Sequence, residues 1–147
     1  MNGGQESTKR GHYDFPNPQE RTPTILLVDD EAVLRMGISD FLQECGFRVL
    51  EAGTAAEAIQ CISAYPNYID LVFSDVRMPG EMDGFGLAQW VRKNRPGLPV
   101  ILCSGDSKKA AAAEDICAEE PFLKKPFDLQ MAVAKIRQML EQAQKKP

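Results

Sequence analysis

The sequence lacks the features that several protein classes require. It has one histidine, and its four cysteines (Cys45, Cys61, Cys103 and Cys117) form no C-x-x-C pair and no zinc-ligand spacing. No apolar run approaches the ~18 residues of a membrane-spanning helix, and no apolar segment typical of a secretory signal opens the chain. The net charge of -4 argues against general attraction to nucleic acid or anionic lipid. We therefore expect a cytoplasmic protein, with free thiols in a reducing compartment and no nucleic-acid or membrane partner.

The chain is long enough for one domain. It has 147 residues, of which 44% are hydrophobic, which is sufficient for an ordinary globular core. Residues 1–22 are polar and turn-rich, which predicts a disordered N-terminal arm; docking of this arm through Tyr13 and Phe15 is the alternative. The domain is predicted over residues 23–143, with a short tail over 144–147.

From Thr24 onward, short apolar runs alternate with amphipathic segments. Five strands are predicted, at residues 25–28, 48–50, 71–73, 100–103 and 121–124. Five helices alternate with them, the fourth being an Ala-rich segment over 107–118 and the last beginning after Asp128. Continuous apolar strands covered by helices predict an α/β fold with a doubly wound parallel sheet, and the flavodoxin-like order 2-1-3-4-5 is the natural five-stranded choice.

Three local patterns support the helices. Gly46 ends the first one, and Thr54 and Glu57 form a capping box that opens the second. The first helix is predicted to bury one face, made of Leu34, Ile38, Phe41, Leu42 and Cys45.

Polar side chains follow the predicted strands, where a doubly wound sheet places its functional site. They are Asp29, Asp30, Asp75, Ser104 and Lys125. The carboxylates would repel one another by about 4 kcal/mol per pair at ~4 Å and an effective dielectric of ~20, so a cation is expected, and Mg²⁺ suits such oxygen ligands. Asp75 could then act as a nucleophile toward a phosphoryl group, while Ser104 and Lys125 contact its oxygens.

Each of these residues also has an ordinary structural interpretation. Asp29 and Asp30 could cap a helix, Ser104 could shape a turn with Gly105, and Lys125 could be a solvated surface charge. Their joint placement at one sheet edge favours the functional interpretation.

Four motifs together resemble the response-regulator receiver domain of two-component signalling. They are Val28-Asp29-Asp30-Glu31, Ser74 to Gly84 (SDVRMPGEMDG), Leu102-Cys103-Ser104-Gly105 and Lys125-Pro126-Phe127. The resemblance implies that Asp75 is the phosphoacceptor and that Mg²⁺ is held by Asp29, Asp30, Asp75 and the backbone carbonyl of Arg77. Asp30 would be the more direct ligand, with Asp29 acting largely through water. Ser104 and Lys125 would contact the phosphoryl group.

Phe122 falls at the switch aromatic position, which is usually Tyr or Phe, and it has no hydroxyl group for a hydrogen-bonded response. The sequence departs from the commonest family pattern in two places. The Met78–Gly84 loop is one residue longer than the commonest form, and Arg77 places a cation two residues after Asp75.

The resemblance implies a phosphoacceptor that assists its own phosphotransfer and dephosphorylation rather than an enzyme. Its partners would be a sensor histidine kinase or phosphotransfer protein and an unknown downstream protein. A homodimer could form through the face made by the 107–118 helix, the fifth strand and the last helix. Only 22 residues follow Lys125, so we expect a stand-alone receiver or an excised fragment. A haloacid-dehalogenase-type hydrolase and an interaction module that has lost phosphorylation are the alternatives.

Overall fold

The computed structural model describes residues 22–104, 122–124 and 128–145. Its strands are β1 (Thr24–Val28), β2 (Arg48–Ala52), β3 (Leu71–Asp75), β4 (Val100–Ser104) and β5 (Phe122–Lys124). Its helices are α1 (Ala32–Glu44), α2 (Ala55–Ala64), α3 (Gly84–Asn94) and α4 (Leu129–Lys145). Most of the predicted arm, residues 1–21, and the predicted helix over 107–118 lie outside the described residues.

The strands form a parallel sheet in the order β2-β1-β3-β4-β5. The chain runs from β1 to its neighbour β2 and then crosses to β3 on the other side of β1. The predicted flavodoxin-like α/β fold is therefore confirmed for the order 2-1-3-4, together with four of the predicted helices. The strand order reverses between β1 and β3, and in such sheets ligands bind outside the carboxyl ends of the strands at this point.

Two hydrophobic layers cover the two faces of the sheet. Successive residues of a strand point to opposite faces, so β1 supplies Leu26 and Val28 to one layer and Ile25 and Leu27 to the other. The first layer contains the buried side chains of α2 and α3, and the second contains those of α1 and α4. Because helices cover both faces, all five residues of β1 are buried, which explains its uninterrupted apolar run.

The exposed position of Leu34 contradicts the predicted face of α1. Ile38 and Leu42 are buried, and Phe41 and Cys45 are half-buried against the same layer, but Leu34 is 42% exposed. The apolar contact with the sheet therefore covers the later turns of α1 and does not extend to Leu34 in the first turn.

The predicted capping box at the start of α2 forms with one change of partner. The amide of Glu57 donates to Oγ1 of Thr54 at 3.1 Å, as predicted. The carboxylate of Glu57 accepts from the amide of Gly53 at 2.8 Å, one residue before the N-cap. Both bonds satisfy backbone donors at the entrance of the helix, so this part of the β2–α2 loop is held firmly.

The described cysteines are free thiols. Cys45, Cys61 and Cys103 are free, and Cys117 lies outside the described residues. Burial raises the pKa of the Cys61 thiol, and the neighbouring Glu57 carboxylate raises it further, so this sulfur is a poor nucleophile at neutral pH. Within the described ranges, no helix combines the length and apolar character needed to span a membrane.

Candidate functional site

The turn between β1 and α1 carries the first two acidic residues. Asp29 is only 2% exposed, because its amide extends the sheet by donating to the carbonyl of Ala52 at 3.1 Å. Its Oδ1 accepts from the amide of Glu31 at 2.9 Å, which closes the turn, whereas Asp30 is exposed. The N-cap of α1 is Glu31, and its side chain makes no capping hydrogen bond. Neither aspartate is therefore the N-cap residue, although Asp29 stabilises the turn that precedes the helix.

Asp75 is the last residue of β3, a strand with neighbours on both sides. The sequence predicts that Asp75 lies just after the strand, but the parallel pairing of β3 with β4 includes Asp75, which pairs with Cys103. The next amide, that of Val76, donates to the carbonyl of Cys103 at 2.9 Å, and Oγ of Ser74 donates to the carbonyl of Asp75 at 2.9 Å. These bonds fix the backbone on both sides of a carboxylate that is 7% exposed.

The three carboxylates lie together, as predicted. One ligand oxygen from each of Asp29, Asp30 and Asp75 lies within 4.8 Å of the other two, and Asp29 and Asp75 are buried. Three carboxyl groups at this separation are a suitable ligand set for a hard divalent cation such as Mg²⁺, which takes oxygen ligands and keeps some of its water. The donor set present in the chain therefore fits the expected metal.

The loop after β3 packs closely against the backbone of Asp75. The amide of Gly84 donates to the carbonyl of Val76 at 2.8 Å, and a Cβ atom at Gly84 would lie 2.7 Å from Cα of Val76. Asp83 caps α3 by accepting from the amide of Gly86 at 3.0 Å. The Asp83-Gly84 pair thus starts α3 and brings it against the end of β3.

The other predicted site residues are described to different extents. Ser104 is the last residue of β4, one position beyond the pairing of Asp75 with Cys103, and it is buried. Arg77 is exposed in the loop that follows β3. Phe122 begins β5, and its role as a switch residue stays a prediction. Lys125 lies outside the described residues.

Sequence reasoning missed two residues beside the acidic turn. Nη1 of Arg35 donates to the backbone carbonyl of Asp29 at 2.5 Å, and its Nε donates to Oε1 of Glu51 at 2.8 Å. A cation five residues after Asp30 was visible in the sequence, but its contact with β2 depends on the sheet order.

Comparisons with known proteins agree with this geometry. The family model of the response regulator receiver domain matches residues 25–137. The chain belongs to this family. Its fold is thus that of a receiver domain of two-component phosphorelay systems.

Relatives include both kinases and transcriptional regulators. The chain is 40% identical to the sensor kinase CckA of Brucella abortus over 119 residues, covering 80% of the chain but 12% of the relative. It is 34% identical over 120 residues to DctD of Rhizobium meliloti, a C4-dicarboxylate transport transcriptional regulatory protein, covering 81% of the chain and 25% of that protein. The chain therefore corresponds to a small part of each of these relatives.

A solved structure bears on the metal site. The response regulator TrrA of Thermotoga maritima, crystallised in complex with Mg²⁺-BeF, has a TM-score of 0.71 and 28% identity to the chain. The match covers 80% of this chain and 99% of that one.

Proposed function

We propose that Asp75 accepts a phosphoryl group from a phosphohistidine donor in a Mg²⁺-dependent reaction, and that the modification switches a protein-interaction surface. The observation that carries the proposal is the cluster of Asp75 with Asp29 and Asp30, whose ligand oxygens lie within 4.8 Å of one another. A buried acid at the end of a sheet strand, beside two further acids, serves little purpose in folding because the charges repel.

The chemistry of Asp75 follows from its position. A carboxylate oxygen attacks phosphorus, the P–N bond of the phosphohistidine breaks, and its electron pair leaves with the imidazole nitrogen. The product is an acyl phosphate on Asp75. The backbone bonds around Asp75 fix the point on the strand from which this carboxylate projects, which lowers the entropic cost of the encounter.

Asp29, Asp30 and Asp75 would hold the metal, with the backbone carbonyl of Arg77 as a further ligand. When bound, Mg²⁺ neutralises the acidic cluster and stabilises the negative charge on the phosphoryl oxygens. Its presence in the complex of TrrA, a structural neighbour, supports this assignment.

Ser104 and Lys125 complete the proposed site. Ser104 ends the strand beside β3, so its hydroxyl group can donate to a phosphoryl oxygen after phosphorylation. Lys125 follows β5, where an ammonium group could contact both the acid and the phosphate. Phe122, in β5, would respond as an aromatic group without a hydroxyl.

The proposal treats the chain as a phosphoacceptor that assists its own phosphotransfer and dephosphorylation. Its donor would be a sensor histidine kinase or a phosphotransfer protein, and the similarity to a sensor kinase and a transcriptional regulator supports a place in such a relay. The downstream partner, and self-association through the face that includes β5, belong to the proposal as well.

Intact-mass spectrometry after incubation with acetyl phosphate and Mg²⁺ tests the assignment. We expect one phosphoryl adduct on the wild-type chain, none on Asp75→Asn, and an unchanged adduct on the matched control Asp40→Asn, whose exposed acid lies on α1. An adduct that persists in Asp75→Asn would refute the phosphoacceptor assignment. Sustained turnover of acetyl phosphate would indicate a hydrolase, and no adduct on any variant would indicate an interaction module.

A further inference from the structure

Arg35 ties the acidic turn to the neighbouring strand. Its side chain, 18% exposed, extends from α1 to the turn, where Nη1 donates to the carbonyl of Asp29 at 2.5 Å. Its Nε donates to Oε1 of Glu51 at 2.8 Å, and Glu51 lies in β2 opposite Leu27 of β1. The rigid fork of a guanidinium group can hold a carbonyl and a carboxylate at the same time.

The bond to Asp29 constrains the peptide group from which Asp30 projects. The carbonyl of Asp29 belongs to the peptide group that joins the two acids, and a peptide group is planar. Fixing its oxygen therefore fixes the plane from which the Cα–Cβ bond of Asp30 departs. The amide of Asp29 is bonded to Ala52 and its carboxylate to the amide of Glu31, so the contact with Arg35 is a third tie on this turn.

Glu51 orients the guanidinium group and compensates its charge. Without the negative charge of Glu51, the positive charge of Arg35 beside the proposed metal ligands would oppose the binding of Mg²⁺. The pair thus supplies one hydrogen bond to the turn while adding little net charge to it.

We propose that Arg35 is a positioning residue for the acidic turn, oriented by Glu51, and that it sets the affinity of the site for Mg²⁺ through the direction of Asp30. The inference rests on the proposed function in that the turn supplies metal ligands. It goes beyond that function because neither Arg35 nor Glu51 is among the proposed ligands of the metal or the proposed contacts of the phosphoryl group.

Loss of the charge of Arg35 and loss of its hydrogen bond have opposite expected effects on the affinity for Mg²⁺. Loss of a nearby positive charge strengthens the attraction of the acids for a cation, so a purely electrostatic role predicts tighter binding in Arg35→Ala. A positioning role predicts weaker binding, and loss of such outer contacts typically weakens metal binding 10–100-fold. The sign of the change therefore distinguishes the two roles.

The experiment compares three variants with the wild type. Arg35→Ala removes both bonds, Arg35→Lys retains the charge without the planar fork, and Arg48→Ala is the matched control. Arg48 is at the opposite end of β2, where its Nη1 donates to the hydroxyl group of Tyr68 at 3.2 Å. Mg²⁺ affinity is measured by isothermal titration calorimetry, and the exchange of the Glu31 amide, which donates to Asp29, is measured by NMR without metal.

We expect Mg²⁺ to bind Arg35→Ala about 10-fold or more weakly, Arg35→Lys at an intermediate affinity, and Arg48→Ala like the wild type. The Glu31 amide should exchange faster in Arg35→Ala and not in Arg48→Ala. Equal or tighter Mg²⁺ binding by Arg35→Ala would overturn the inference. If Arg35→Ala does not fold, Arg35→Lys decides, and an affinity for Mg²⁺ equal to that of the wild type would overturn the inference. If the wild type binds no Mg²⁺, the proposed metal site is wrong; unchanged exchange of the Glu31 amide in Arg35→Ala would then overturn the positioning role independently.

Discussion

Replacing Asp75 by asparagine should stabilise the metal-free protein, although it removes the proposed phosphoacceptor. The substitution keeps the shape of the side chain and removes one charge from a cluster whose ligand oxygens lie within 4.8 Å of one another. Asp75 and Asp29 are both buried, so water screens their repulsion poorly, whereas Asp30 is exposed and its charge is screened better.

The size of the gain follows from these separations. At 4.8 Å, a pair of ionised carboxylates repels by about 3.5 kcal/mol at an effective dielectric of ~20, and by about 0.9 kcal/mol at the dielectric of water. The first value applies to Asp75 with Asp29 and the second to Asp75 with Asp30. Hydrogen bonds that favour a charged carboxylate, and the Lys125 ammonium group proposed to contact Asp75, offset part of the sum, so we expect a net gain of about 1–3 kcal/mol in the free energy of unfolding. For this chain length the melting temperature should rise by about 3–10 °C.

Thermal unfolding in EDTA measures this gain, and a second scan in Mg²⁺ tests its cause. A ligand at 100 times its dissociation constant stabilises the folded state by about 2.7 kcal/mol, so the wild type should recover most of the difference when Mg²⁺ is added. Asp30→Ala should lose most of this Mg²⁺-induced stabilisation. Asp40→Asn removes an equal charge from the exposed side of α1 and should change stability by less than about 0.5 kcal/mol. If Asp75→Asn melts at or below the temperature of the wild type in EDTA, the carboxylates do not carry a net repulsion, and this electrostatic account is wrong.

Three further outcomes test other parts of the structure. Gly84→Ala should destabilise the domain by about 1–3 kcal/mol in urea unfolding, because its Cβ atom would overlap the backbone at Val76. Gly97→Ala is the control, since a Cβ atom at Gly97 would enter open space. Equal destabilisation by the two variants would contradict the close approach at Gly84. Thr54→Ala should cost about 1 kcal/mol through loss of the cap bond to Glu57, and an unchanged urea midpoint would mean that this bond contributes nothing. Ser104→Ala should still accept a phosphoryl group from acetyl phosphate but show a smaller change in hydrogen exchange when beryllofluoride is added; a full-sized change would exclude the hydroxyl group from the switch.

The sheet and the position of the acids could be predicted from the sequence because strands buried on both faces consist largely of apolar residues. Each of β1, β3 and β4 is buried along its whole length, and such strands appear as continuous apolar runs. Polar residues at the ends of these runs must then lie at the carboxyl edge of the sheet. The clustering of Asp29, Asp30 and Asp75 follows from this rule, and the resemblance to receiver domains adds the expected roles of each residue.

Periodicity predicted the buried face of α1 but not its extent. The spacing of Leu34, Ile38 and Leu42 places them on one side of the helix, yet Leu34 is 42% exposed. A hydrophobic repeat gives the direction of a face relative to the helix axis; it contains no information about where the packing partner ends. A similar limitation applies to the end of β4, which was predicted one residue before Ser104. A polar residue can continue a strand because the pairing uses only its backbone.

The residues that support the turn from outside were harder to find, because their contacts involve the backbone. Every residue has a carbonyl group, so the bond from Arg35 to the carbonyl of Asp29 requires no particular side chain at position 29. Glu51 is 16 residues from Arg35 along the chain, and the two meet only because β2 lies beside β1. Gly84 acts in a similar way, since its contribution is the absence of a Cβ atom beside Val76. Contacts of this kind become visible only when the sheet order is known, and they determine how precisely the predicted carboxylates are held.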